Sequence, residues 1–380
     1  MQRDYSKDFG SFNRRIWLNC AHQGPMPKVS GNAVFEALNW KISPHLLEDE
    51  LFYSVPERLK SVLGRLINVP PEEIILSNST SYGLHLLANG IPFKAGDEIL
   101  LVDGDFPANI LPWIALREKG VNVRLFKLEG AVPEPEEVEK QIKPETRLFC
   151  TSWVNSFTGH AADIQKTGEL CRENGVFFVL NGSQALGARS LNIQDTPVDA
   201  FTCCGFKWLC GPYGTGFSWL SPELLGSLEY NQAYWLTVQR GKPLNRMRDY
   251  RIGDNLGAAK YDVFGTANFF NFLPWTESIE YLLKFGIEQI EKYDNQLVSQ
   301  FVGGLDREKY SLISPENEDE RSTIIVLSHK ESSRNTGIFE LLKREEIDIS
   351  LRENNLRISP HLYNTAEEIS ELLRVLNSVK

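Results

Sequence analysis

The residue with the most evident chemical promise is Lys207, inside the run Cys203–Phe217, Cys-Cys-Gly-Phe-Lys-Trp-Leu-Cys-Gly-Pro-Tyr-Gly-Thr-Gly-Phe. It follows an apolar strand, lies between Phe206 and Trp208, and precedes Gly211, Gly214 and Gly216. Aromatic packing desolvates an amine and lowers its pKa, the condition for Schiff-base chemistry with a carbonyl. A surface lysine whose stem packs while its head stays in water accounts for the same letters. Ser77-Asn78-Ser79-Thr80-Ser81, between a strand and a helix, offers hydroxyls and free N–H groups to an anion. A plain helix cap reads the same way, and without a Walker lysine the run is not an ATP-binding loop. Asn181, Ser183 and Gln184 end an apolar strand, where side chains reach the ligand crevice of an α/β sheet or simply form a polar turn. Arg357, in Leu356-Arg357-Ile358-Ser359-Pro360-His361, could grip a carboxylate through both nitrogens or hold a structural ion pair.

These residues need a scaffold, and the hydrophobic pattern supplies one. Strand-like runs at Glu73–Leu76, Glu98–Val102, Val121–Leu128, Leu148–Trp153, Val176–Leu180, Ala200–Cys204 and Gly216–Leu220 alternate with helical stretches at Tyr82–Ile91, Ile110–Lys119, Glu136–Ile142 and Asp163–Asn174. That order predicts an α/β fold with a mostly parallel sheet covered by helices on both faces. From Phe269 onward the pattern changes. Helices are expected at Phe272–Phe285, Ile287–Gly303 and Thr336–Arg344, and strands at Tyr310–Ile313, Thr323–Leu327, Ile347–Leu351 and Leu356–Ser359. A last helix opens with a capping box from Thr365 to Glu368. This reads as a smaller α+β domain, with the acidic stretch Glu316–Arg321 as a solvated loop. The expected division is 1–18 as an N-terminal segment, 19–268 as the large domain and 269–380 as the small one.

Forty basic residues against 50 acidic ones give a net charge of −10, which argues against nucleic acid or an anionic membrane as the main partner. No apolar run reaches bilayer length and Met1–Ser11 is mostly polar, so a soluble, cytoplasmic protein is expected. The six cysteines form no CxxC pair and read as reduced thiols, and the six scattered histidines give no metal site.

The motifs together, in this order and spacing, resemble the class V (cysteine desulfurase-like) aminotransferases, enzymes of pyridoxal 5'-phosphate in fold type I, near isopenicillin-N-epimerase-like and kynureninase-like members. The resemblance runs from about Asn19 to Leu376 and begins with Asn19-Cys20-Ala21-His22-Gln23-Gly24-Pro25. It implies a seven-stranded, mostly parallel sheet, with Lys207 as the Schiff-base lysine and catalytic base. It further implies that Ser79, Thr80 and Ser81 hold the phosphate and that Phe106, in Phe106-Pro107-Ala108-Asn109, stacks on the ring. Asn155 would lie beside the ring hydroxyl and the substrate, Gln184 would bond that hydroxyl, and Cys204 belongs to the cofactor-binding set. Thr266, in Gly265-Thr266-Ala267-Asn268, would reach the phosphate of the other subunit of a homodimer, and Arg357 would bind the substrate carboxylate. His22 is a substrate-side candidate or a structural histidine, and Tyr234, Trp235 and Arg240 are expected to shape the pocket.

Two positions depart from the family pattern. Asn181 stands where the family carries an Asp that holds the pyridine nitrogen protonated; a neutral amide gives a weaker electron sink or an inactive site. No cysteine follows Cys210, so the loop nucleophile of a cysteine desulfurase is missing. The resulting expectation is a lyase cleaving a Cβ–S bond of an amino acid by β-elimination. Its alternatives are an aminotransferase or epimerase, and a cofactor-binding protein impaired by Asn181.

Overall fold

Short apolar runs, each bounded by polar turns, pair into a seven-stranded sheet: β1 (Ile74–Ser77), β2 (Glu98–Val102), β3 (Asn122–Phe126), β4 (Thr146–Ser152), β5 (Phe177–Asn181), β6 (Ala200–Cys204) and β7 (Gly216–Leu220). The computed structural model describes residues 4–239, 244–245, 248, 252 and 256–379, so Arg240 lies outside them. The spatial order is β1-β7-β6-β5-β4-β2-β3. Only β7 runs antiparallel to its neighbours. Every residue of β1, β2, β6 and β7 is buried, as expected of strands covered on both faces. Phe149 and Phe178 on adjacent strands stack at 5.8 Å, worth about 0.5–1.5 kcal/mol beyond their area.

The main helices are α1 (Lys28–Ile42), α2 (Leu51–Ile67), α3 (Thr80–Gly90), α4 (Ile164–Glu173), α5 (Phe269–Phe285), α6 (Ile287–Gly304), α7 (Asn335–Arg344) and α8 (Ala366–Ser378). Ser79 caps α3, Asp163 caps α4, and Thr365 with Glu368 forms the capping box of α8. A second sheet is antiparallel, in the order β10 (Ser350–Arg352), β11 (Asn355–Ile358), β9 (Ile325–His329), β8 (Tyr310–Leu312). The mostly parallel sheet and the smaller C-terminal α+β unit are as the sequence predicted. Helix α5 packs on α1 and α2, and its Phe272, Trp275, Ile279 and Leu282 join the large core. The short strand Ile16–Trp17 pairs with Ile347–Asp348, so the N-terminal segment is tied to the C-terminal unit.

The structure corrects three local expectations. The helix expected over Ile110–Lys119 is a single turn at Leu111–Ile114 followed by a 3₁₀ stretch, Ala115–Lys119, ending at Gly120 with φ 81°. The strand expected over Ile347–Leu351 is split, because Ile347–Asp348 and Ser350–Arg352 serve different sheets. Arg321, expected in a solvated loop, is buried, donating to Asn295 O, Ser299 Oγ and Glu318 Oε1.

One buried ion pair ties α2 to the sheet. Lys60 Nζ lies 2.8 Å from Asp262 Oδ2, and Leu76 N–H donates to Asp262 Oδ1 at 2.8 Å. Removing one partner of such a pair strands the other charge, at a cost of about 3–5 kcal/mol. Lys60→Met should therefore lower the urea midpoint by the equivalent of that loss; a midpoint equal to the parent's would show that the pair adds nothing.

Candidate active site

The parallel strands deliver their carboxyl ends to one edge, and the site is built there. Ser152 at the end of β4 is in register with Asn181 at the end of β5, and Asn181 with Thr202 on β6. A cavity of about 630 Å³ opens at this edge, lined by residues from the N-terminal loop, the α3 N-terminus, the strand ends and the β10–β11 hairpin. His22, Ser79, Thr80, Ser81, Phe106, Asn181, Gln184, Cys204, Lys207 and Arg357 all line it.

Lys207 sits on a tight turn braced from below by α5. Ser278 Oγ donates to the carbonyls of Leu209 and Cys210, each at 2.9 Å. A Cβ at Gly205 or Gly211 would come within 2.5 or 2.3 Å of the Trp275 ring, so close packing on that tryptophan requires glycine. From the other side His361 Nε2 donates to Trp208 O at 3.2 Å, while His361 Nδ1 faces Asp294 Oδ2 at 2.7 Å. The Lys207 amine is half-buried, 5.6 Å from the Phe106 ring centroid and 5.9 Å from that of Phe206. It makes no hydrogen bond or ion pair with any described residue. Burial, with the charges of Arg357 and Arg352 adding, pushes its pKa below the usual lysine value.

The other groups fall into place around that amine. At the α3 N-terminus Ser79 Oγ accepts from Tyr82 N–H at 3.3 Å, so its hydroxyl also serves as the helix cap. Thr80 Oγ1 and Ser183 Oγ are 2.5 Å apart, and Thr202 Oγ1 donates to Thr80 O. At Gly83 a Cβ would come 2.1 Å from Ser218 Oγ, so this glycine lets α3 lie close enough to aim its N-terminus into the cavity. Phe106 is 40% exposed, its ring uncovered toward the cavity. Gln184 Nε2 donates to Ala21 O and Ser156 Oγ, and its Oε1 accepts from Trp208 Nε1–H at 3.1 Å, leaving one oxygen lone pair for a ligand.

Arg357 is 3% exposed, with Nη1 donating to Ser156 O at 3.2 Å and Nε without a partner. Burial, then the charge of Arg352, pushes its pKa down to about 10. A buried guanidinium that faces a cavity without a carboxylate partner is what a carboxylate ligand completes. Arg352, not singled out in the sequence, is brought beside it by a two-residue turn at Glu353 and Asn354, with φ 44° and 60°. His22 is held below the usual imidazole pKa by partial desolvation and by the charges of Arg352, Arg357 and Lys207.

Four expected residues lie elsewhere. Asn155 does not line this cavity: its Oδ1 accepts from the Phe157 and Thr158 N–H groups and its Nδ2 reaches Ala131 O, so the amide shapes the loop and faces a neighbouring cleft. Thr266 is buried near Tyr53 and Asp262, away from this chain's own Lys207. Tyr234 packs against Trp235 and Phe264, and neither Tyr234 nor Trp235 reaches the cavity.

An aromatic plate over an amine that has no counter-ion, a hydroxyl-rich helix N-terminus and a guanidinium without a carboxylate partner together fit a phosphorylated pyridine aldehyde and an amino-acid carboxylate.

The His361 pair titrates in a defined direction. Burial alone would lower the imidazole, but the Asp294 carboxylate outweighs it and pushes His361 up from 6.5 to about 10. Its contribution to stability is complete below about pH 6.5 and is lost as pH rises through about 10. Urea midpoints of the parent should therefore fall across that range relative to Asp294→Asn; parallel pH profiles would contradict the pairing.

Comparison with known proteins gives the same picture. The family model described as aminotransferase class-V matches residues 48–372. A probable cysteine desulfurase of Methanothermobacter thermautotrophicus is 25% identical over 99% of this chain and 97% of its own. Isopenicillin N epimerase of Streptomyces clavuligerus is 28% identical over 95% and 94%. Among solved structures, the cystine C–S lyase C-DES in complex with its product cysteine persulfide superposes with a TM-score of 0.88 at 20% identity, over 97% of this chain and 99% of that one. At that identity the likeness is one of fold.

Proposed function

This chain belongs to the class-V aminotransferase family, and from that premise we propose that it is a C–S lyase acting on a sulfur-bearing amino acid by β-elimination, with Lys207 as its catalytic base. It is a pyridoxal 5'-phosphate-dependent enzyme. When bound, the cofactor supplies an electron-accepting ring conjugated to the substrate's α-carbon. The observation that carries the reading is the Lys207 amine, free of any hydrogen bond or ion pair with the described residues and lowered in pKa, at the strand-end cavity.

The α3 N-terminus, with Ser79, Thr80 and Ser81, would hold the phosphate, and the Phe106 ring would cover the cofactor. Asn181 would meet the ring nitrogen, and Gln184 Oε1 would accept from the ring hydroxyl. Arg357, with Arg352 beside it, binds the substrate carboxylate and sets the α-carbon toward Lys207. Lys207 Nζ, neutral at the moment of reaction, removes the α-proton, and the bond from Cβ to sulfur breaks. With cystine the overall balance is cystine plus water giving pyruvate, ammonia and cysteine persulfide. The desulfurase route is disfavoured because all six cysteines are buried and the last is Cys210. The free thiols suit a reducing, cytoplasmic setting, and no helix among the described residues is long and apolar enough to cross a membrane.

A homodimer completes the reading. Phe35, Leu38, Ile42 and Leu46 leave an apolar stripe along and just beyond α1, with Phe35 69% and Ile42 70% exposed. Thr266, remote from its own chain's cavity, would serve a neighbour's phosphate, as the family resemblance implies. Sedimentation should give a dimer that Ile42→Asp shifts toward monomer, whereas a monomeric parent would remove the shared-site arrangement.

With cystine as the probe, stoichiometric pyruvate and ammonia are expected, and Lys207→Ala should lower the rate by about 10²- to 10⁴-fold. Keto-acid-dependent amino transfer, or solvent deuterium entering the α-carbon without net reaction, would replace the lyase by an aminotransferase or an epimerase. No turnover of any amino acid by cofactor-loaded protein would leave the impaired, cofactor-binding reading.

A further inference from the structure

The buried carboxylate of Asp105 has no part in the reading above, yet four donors converge on it. Oδ1 accepts from Phe106 N–H at 2.6 Å and from the Ser152 hydroxyl at 2.8 Å. Oδ2 accepts from Ser152 N–H at 3.0 Å and from Asn109 Nδ2 at 2.8 Å. Burial pushes the pKa of the Asp105 carboxyl up and the four donors oppose that shift; ionised, it only accepts, so Asn109 turns its Nδ2 toward Asp105 and its Oδ1 away. That oxygen accepts from Asn181 Nδ2 at 2.7 Å. At the far end Ser183 N–H, a donor that cannot reverse, points at Asn181 Oδ1 at 3.0 Å. The two ends therefore fix both amides in the same sense. Asn109 is 1% exposed and Asn181 5%, so little water competes with the chain.

We propose that Asp105 is a positioning residue that supplies, through Asn109 and Asn181, the negative field felt by the ring nitrogen of the bound cofactor. This rests on the reading that the cavity holds pyridoxal phosphate with its ring nitrogen at Asn181. Aligned hydrogen bonds in a low-dielectric interior polarise one another, by roughly 10–30% per bond. The amide oxygen of Asn181 keeps a second lone pair, which the charge at the head of the chain makes a better acceptor for a protonated ring nitrogen. The carboxylate that the family places at position 181 is thus set two amides back. Asn181→Asp alone would put a carboxylate on each side of Asn109, whose single NH₂ group faces one of them.

The test uses holoenzyme loaded with cofactor carrying ¹⁵N in the ring. Asp105→Asn and Asn109→Ala should each move the ring nitrogen resonance toward that of unprotonated pyridine, and Asp105→Asn combined with Asn181→Asp should bring it back. Thermal midpoints of the same proteins without cofactor report any purely structural effect. If Asp105→Asn does not fold, Asn109→Ala, which leaves Asp105 its Ser152 and Phe106 donors, decides the matter. An unmoved resonance in the folded variants, with only a lowered midpoint, would make Asp105 structural and overturn the relay alone. A parent protein with no borohydride-sensitive visible band would overturn the site reading and the relay with it, before any substitution is compared.

Discussion

Placing an ammonium and a guanidinium in one recess with no carboxylate paired to either is unfavourable, because burial strips water from both charges and each repels the other. Lys207 and Arg357 are so placed, and both are pushed below their usual pKa. The fold tolerates this by rigid support on every side. Trp275 and Ser278 of α5 hold the turn beneath Lys207, and the charged pair of His361 and Asp294 holds the carbonyl of Trp208. A lysine kept short of its proton and an arginine kept short of its partner are both resolved by a ligand that brings an aldehyde, a phosphate and a carboxylate.

The same edge of the sheet manages negative charge differently. Asp105 is saturated by donors and set behind Asn109 and Asn181, so its carboxylate does not compete with the ligand for Lys207 or Arg357. Separating the unpaired cations from the buried anion by two directed amides keeps the cavity electropositive while leaving an oriented dipole at its wall.

Much of this was legible in the sequence because strand ends in a parallel sheet converge, so Lys207, Asn181 and Gln184 could be expected at one edge from their positions, while Phe106 came only with the family resemblance. The parallel strands were readable as apolar runs bounded by turns. Helices α1 and α2 escaped: Val29, Phe35, Leu38 and Ile42 lie exposed on α1 and blur its period. Arg352 was hidden because its place depends on a two-residue hairpin turn, and the His361–Asp294 pair because its members lie 67 residues apart. The direction of the Asp105 chain could not be read at all, since it follows from which backbone N–H groups meet each amide after folding. Asn155 shows the opposite case: a residue of suitable type whose amide bonds to its own loop in the structure.

The most direct measurement of the central claim is peptide mass analysis of the cofactor-loaded protein after borohydride reduction. A phosphopyridoxyl group fixed on the peptide that contains Lys207, and on no other lysine, is the predicted result. Its absence there, or its appearance on a different lysine, would contradict the assignment of this cavity as the catalytic site.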